Sequence, residues 1–200
     1  MLKLPTTTRL NKPLAKKAIF AKFNLKSTAK EKFDSDISKI AIVNEVSSVT
    51  TTIAKGNTVE AFFVLLVTMK QEVFDEKNIT LLSRLINQKM LFVLAYNEKA
   101  KLSVYHTKLL QSDWYPIDEL SIELQGLNLD TVWENVVVQV GNIQIEQGRT
   151  LDEQIRLNEE REKLQHQIEL LERQARAEKQ PKRKFELVQE IKKLENKWKK

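Results

Sequence analysis

The chain has 200 residues and a formal net charge of +6; 42% of it is hydrophobic and 30% charged. That length fits one ordinary domain plus an appendage, and the charged share exceeds the usual quarter, so part of the chain is heavily solvated. With no cysteine, disulfides, cysteine-ligated metal centres and thiol nucleophiles are excluded, and the presence of only four glycines argues against Gly-rich phosphate loops.

A chain without cysteine suits a reducing cytosol. Met1-Leu2-Lys3-Leu4-Pro5 lacks the apolar run of a signal peptide, and the longest apolar stretch, Ala61 to Val67, is too short to span a bilayer. The expectation is a soluble, cytoplasmic protein with no membrane association. Its charge is unevenly spread. Residues 1–33 carry nine basic side chains against one acid, and residues 178–200 nine against four, so a mildly acidic body has two basic ends. Basic ends suit nucleic acid or an acidic partner, and solvated helix faces are the competing reading.

In chain order, Leu14, Ala18, Ile19 and Phe23 fall at helical spacing and predict a helix over 13–23 with Pro13 in its first turn. A second helix is expected over 28–36, with Ser27 as N-cap and Phe33, Ile37 and Ile40 on its apolar side. The period then changes. Short β-branched runs predict strands within 41–53, followed by a turn at Lys55-Gly56-Asn57. The continuous apolar run after it predicts a central strand over 59–68, buried on both faces. Helical spacing returns at 76–87, where Ile79, Leu82, Leu85 and Ile86 face inward and Asp75 or Asn78 caps. Strands follow at 90–96 and 101–106 around a hairpin at Asn97-Glu98-Lys99. An edge strand is expected at 113–117, because Pro116 cannot donate to a ladder. A helix over 129–140, capped by Asp130 and ended by Gly141, carries the stripe Val132, Trp133, Val136, Val137, Val140.

The remainder differs in kind. Leu157, Leu164, Ile168, Leu171 and Ala175 keep coiled-coil spacing, with Arg161 at the missing position. Leu187, Ile191, Leu194 and Trp198 repeat it after Pro181, which ends one helix and opens the next. The fold class expected is therefore α+β: a mixed, largely antiparallel sheet with packed helices over 1–145, then an antiparallel, charged helical hairpin over 146–200. The seam residues Leu164, Ile168, Leu171, Leu187, Ile191, Leu194 and Trp198 are the candidate partner interface, through which the chain could also pair with a second copy.

Catalytic chemistry finds little footing. Neither histidine, His106 or His166, has a second at ligand spacing, so no metal is expected, and no phosphate-loop, dinucleotide or nucleophile-elbow motif occurs. Nuclease chemistry needs clustered carboxylates holding a metal beside a lysine. Glu60 and Lys70 are the nearest approach, ten residues apart, while Asp34 and Asp36 read as caps or solvent-facing groups. No catalytic residue and no cofactor is expected. Phe20, Phe23 and Phe33 sit at core spacing, so no base-stacking platform is indicated. The candidate nucleic-acid contacts are Lys16, Lys17, Lys182, Arg183 and Lys184, by sequence-independent contacts to phosphate.

Several stretches taken together resemble a bacterial family described as domain of unknown function 4391. They are Leu4-Pro5 with Asn11-Lys12, Val59-Glu60, Leu91-Phe92-Val93-Leu94, Tyr96-Asn97-Glu98-Lys99-Ala100 and Trp114. Further on come Leu124-Gln125-Gly126-Leu127-Asn128-Leu129-Asp130 leading into Trp133-Glu134-Asn135, and then Ala177-Glu178-Lys179-Gln180-Pro181-Lys182-Arg183-Lys184 with Glu186-Leu187. The chain departs from the family's pattern at Val43, where an aromatic is expected, and at Pro181, where a Phe is. The resemblance implies a context beside helicases and DNA methyltransferases in restriction-like, phage-defence clusters, and it transfers no site residue. Two functions are expected on that basis. One is an accessory interaction subunit bridging or tuning a helicase or DNA methyltransferase; the other is a diverged nuclease-like or nucleotide-handling enzyme.

Overall fold

The computed structural model describes residues 2–198, with side chains through Asn196. The chain divides into two compact units, Met1–Ile143 and Gln144–Lys200.

The first unit is built on a mixed seven-stranded sheet. Strands β1 (Arg9–Pro13), β2 (Ile37–Ser47), β3 (Ala61–Met69), β4 (Lys89–Tyr96), β5 (Lys99–Tyr105) and β6 (Leu109–Gln111) lie side by side in chain order, and β7 (Tyr115–Pro116) pairs with β5. Only β3 and β4 run parallel, joined through helix α3 (Glu76–Leu82); every other pairing is antiparallel. The apolar runs of β3 and β4 fill the centre, and Val64, Leu65, Leu91, Phe92, Val93 and Leu94 are fully buried. Strands packed on both faces need no alternation, which is why these two read as unbroken apolar segments.

Helices α1 (Lys16–Lys22), α2 (Ser27–Asp36) and α3 cover one face of the sheet. There Ile19, Phe33, Ile79 and Leu82 meet Ile40, Leu65, Val67, Phe92 and Leu94 in one apolar cluster. Phe20 packs edge-on against Phe33 with ring centroids 5.4 Å apart. Helix α4 (Leu129–Gly141) covers the opposite face, where Trp133 lies 5.3 Å from the ring of Phe62. Phe62 and Leu65 are three residues apart on one strand, so the pleat sends them to opposite sides.

Several local expectations fail for identifiable reasons. Pro13 does not open a helix. It ends β1, an exposed edge strand where a residue without an N–H costs no ladder bond. Ser27 is the first helical residue and Lys26 the cap position, with no side-chain cap bond. Residues 49–53 form no strand, because hydroxyls claim the backbone. Thr50 Oγ1 donates to the Glu45 carbonyl and accepts from Ser47 N–H, while Thr51 Oγ1 donates to the Ser47 carbonyl. Helix α3 stops at Leu82, five residues short of expectation, as Arg84 and Leu85 N–H turn back to Leu81 and Leu82 carbonyls. Its cap is Asp75, which accepts from Lys77 N–H. The strand β6 was not expected, and the strand expected at 113–117 shrinks to β7.

The second unit contains helices α5 (Leu151–Ala177) and α6 (Pro181–Trp198) packed on each other. Thr150 and Glu153 form a reciprocal capping box at the start of α5, and Pro181 occupies the first position of α6. Ile168, Leu171, Ala175 and Ile191 are buried in the seam, flanked by half-buried Leu164, Leu187 and Leu194.

Candidate functional site: polar clusters of the body and faces of the hairpin

Asp36 ends α2, and Ile37 begins β2 directly after it, which carries the carboxylate under the loop that leads from β3 to α3. The sequence reading placed Asp36 at a cap or in solvent. It is instead 2% exposed and accepts from Gln71 Nε2 (2.6 Å), Asn78 Nδ2 (2.8 Å) and Asp75 N–H (2.9 Å). Around it, Lys16 reaches Asp34 at 2.7 Å and also donates to the Ile37 carbonyl. Lys32 reaches Asp75 at 2.7 Å, and Lys70 donates to the Asp34 carbonyl. The Lys32 ammonium, with the Lys77 N–H, holds the Asp75 carboxyl below its ordinary range, and Asp75 in turn raises Lys32. Three carboxylates therefore gather at the C-terminal end of β3, each of them engaged by protein donors. Among the described residues no three His, Cys, Asp or Glu side chains are placed to hold a metal ion.

Glu60 lies at the other end of the same strand, just before β3, where it pairs with Lys55 at 2.6 Å. A nine-residue strand separates it from Lys70 by about 30 Å, so the two do not combine into a nuclease-like site.

The second cluster locks the loop before β3 to the start of α4. Asn128, not Asp130, is the N-cap: its side chain accepts from Thr131 N–H and Thr131 answers in a capping box. This frees the Asp130 carboxylate to collect the N–H groups of Asn57 (2.7 Å), Thr58 (3.1 Å) and Val59 (2.8 Å), and the Thr58 hydroxyl (2.8 Å). The Thr58 hydroxyl and then the three N–H groups hold its pKa down at about 2, against a smaller opposing effect of burial. Gly56 permits the approach, since a Cβ there would sit 2.4 Å from Asp130 Oδ1. Gly126 adopts φ +149°, a region closed to most side chains, with Val132 N–H at 2.8 Å from where its Cβ would be.

A cleft at the N-terminal ends of β3 and β4 is lined by Thr58, Ser83, Lys89, Tyr105 and His106. The Thr58 and Ser83 hydroxyls donate elsewhere, to Asp130 and to the Thr80 carbonyl, so neither is poised as a nucleophile. His166 is exposed on α5.

The five lysine and arginine candidates part company. Lys16 is committed to Asp34 and Ile37, whereas Lys17 is exposed. Lys182, Arg183 and Lys184 form the exposed first turn of α6, and Arg183 Nε lies 3.6 Å from Glu178. The candidate interface residues Leu164, Ile168, Leu171, Leu187, Ile191 and Leu194 pack on one another inside the seam; the side chain of Trp198 lies outside the described residues. The surfaces of the hairpin that this leaves exposed are its outer faces. On α5, opposite the seam, stand Glu159, Glu162, His166, Glu169 and Arg173. The corresponding positions of α6 are Lys182, Phe185, Gln189, Lys192, Lys193 and Asn196. Phe185 is 63% exposed; it was not singled out in the sequence, though its displacement from the apolar register of α6 was legible there.

No helix among the described residues is long and apolar enough to cross a membrane. Neither the curated proteins nor the solved structures contain a match to the chain. The sequence profile of domain of unknown function 4391 matches residues 2–197. The stretch 124–135 on which the resemblance leaned holds the tight Gly126 turn, the Asn128 cap, the Asp130 lock and the buried Trp133, all of them structural roles. Matched over nearly its whole length, the chain belongs to the family of domain of unknown function 4391.

Proposed function

We propose that the protein is an accessory, non-catalytic interaction subunit of a bacterial restriction-like or phage-defence system, which bridges or tunes a helicase or DNA methyltransferase. The hairpin carries this reading. Seven of its apolar side chains pack on one another in its own seam, while among the described residues its outer surfaces present exposed charge and the solvent-facing apolar residues Leu170, at 49% exposure, and Phe185, at 63%. An arm closed on itself in this way keeps its shape when it engages a partner, so little ordering cost is left for binding. The helicase or methyltransferase is what the family resemblance implies as the partner. In the body, the Asp36 and Asp130 carboxylates are saturated by internal donors that hold loops in place, which suits a scaffold.

Co-expression with the neighbouring helicase and methyltransferase genes of the native host tests the proposal. A stable complex should form with one of them and should be lost when residues 144–200 are deleted. Formation of neither complex, or a complex indifferent to that deletion, refutes it.

A further inference from the structure

We propose that the outer face of α6 binds single-stranded nucleic acid, with lysines on the phosphates and Phe185 stacked on a base. The inference starts from how charge is sorted on this helix. With 3.6 residues per turn, Lys182, Phe185, Gln189, Lys192, Lys193 and Asn196 share the face opposite the seam, and all six are exposed. No acid stands among them. The acids of α6, Glu186, Glu190 and Glu195, fall on the flanks, and among the described residues none of the three lysines is in an ion pair. A helix kept only for solubility would mix its signs around the circumference, as the outer face of α5 does with Glu162, Glu169 and Arg173.

The spacing fits a polyanion. Lys182 and Lys192 are separated by ten residues, about 15 Å along the axis, which spans two or three phosphates of an extended strand. Phe185 lies between them, one turn from Lys182. An exposed aromatic ring bordered by unpaired lysines matches the stacking-plus-phosphate mode that binds single strands without reading sequence. Duplex hides its base faces and would use the lysines alone. Gln189 and Asn196 add hydrogen-bond donors to the same strip. Arg183 and Lys184 project beside the seam, so the face is not the run Lys182-Arg183-Lys184 that the linear sequence presents.

This proposal is independent of the helicase and methyltransferase reading, and either can fail without the other. The test uses the full chain with a labelled 20-nucleotide single strand and a duplex of equal length, read by fluorescence anisotropy. Single strand should bind more tightly. Three neutralised phosphates give a salt slope of roughly −2 for a single strand, so raising salt from 50 to 200 mM should weaken binding roughly 16-fold. Lys182→Glu, Lys192→Glu and Lys193→Glu together should abolish binding, and the corresponding Gln substitutions should weaken it at least tenfold, both with unchanged helical circular dichroism. Phe185→Ala should cost roughly 5- to 150-fold on single strand and leave duplex binding unaltered. Arg183→Glu with Lys184→Glu should have the smaller effect. Three results overturn the proposal: no binding at 50 mM salt, affinity unchanged by the triple reversal, or salt-sensitive self-association lost in that variant, which would make the face a contact between copies.

Discussion

Ile168→Asp combined with Leu171→Asp places two carboxylates in the hairpin seam and should unfold the hairpin while the sheet unit stays native. Both side chains are nearly buried, at 7% and 9% exposure, and among the described residues the seam contains two further buried ones, Ala175 and Ile191. Burial of each large apolar side chain is worth about 1.5–3 kcal/mol, so about 3–6 kcal/mol is lost before the cost of desolvating two charges. A two-helix unit has little more than this to lose, since whole domains are stable by only about 5–15 kcal/mol. The apolar cluster on the α1–α3 face is built from residues between Leu14 and Leu109, so the two substitutions remove none of its members. Hydrogen exchange read by mass spectrometry separates the two effects. Peptides from 151–196 should lose protection in the double variant, whereas peptides from β3 and β4 should keep theirs. Parallel loss in β3 and β4 would refute the independence of the two cores. Unchanged protection in the hairpin would refute the seam as what holds it.

The body gives sharper local tests. Phe92→Ala removes a fully buried ring from the sheet centre and should cost about 3–5 kcal/mol in urea unfolding. Asp36→Ala leaves the Gln71 and Asn78 amides and the Asp75 N–H without their acceptor. Unsatisfied buried donors cost about 1–3 kcal/mol each, so Asp36→Ala should lower the urea midpoint strongly, and Asp36→Asn, which retains one acceptor, should lower it less. The Asp130 carboxyl is depressed in the folded state to about 2 from 3.8. Its contribution to stability is therefore complete above about pH 4 and is lost as the pH falls through 2. The gap in urea midpoint between wild type and Asp130→Asn should accordingly be wide at pH 5 and narrow at pH 2. Gly56→Ala should reproduce the Asp130→Asn defect at pH 5, because its Cβ occupies the carboxylate's place.

What was legible in the sequence follows from how local each signal is. The continuous apolar runs of β3 and β4, the Asn97 turn and the heptad seams depend on residues within a few positions of each other, and their pattern survives folding intact. Pro13 misleads because the same residue suits a first helical turn or an edge strand, and only the pairing of Arg9–Pro13 with β2 decides. The threonines after Ser47 carry high strand propensity, yet their hydroxyls bond locally to the Glu45 and Ser47 carbonyls and close a turn instead. The two carboxylate clusters were out of reach for a different reason. Asp36 meets partners 35 to 42 residues away, and Asp130 partners more than 70 away, separations at which spacing along the chain carries no information.

The same reasoning separates charge in a sequence from charge on a surface. Lys182, Arg183 and Lys184 are adjacent in the chain, but successive helical residues are turned by about 100°, so the run is scattered round the axis. Arg183 and Lys184 flank the seam, and Arg183 leans toward Glu178. Lys182 instead joins Lys192 and Lys193, three turns away in sequence and on one face in space. Lys16 and Lys17 divide likewise: one is held by Asp34 and a main-chain carbonyl, the other points to solvent. Within a basic terminus of nine cations against four acids, the described residues of α6 thus set Lys182, Lys192 and Lys193 on an acid-free strip with an exposed ring in it. That strip, rather than the total charge, is what a strand of phosphates would meet, and the three lysines on it are where a change of sign should matter most.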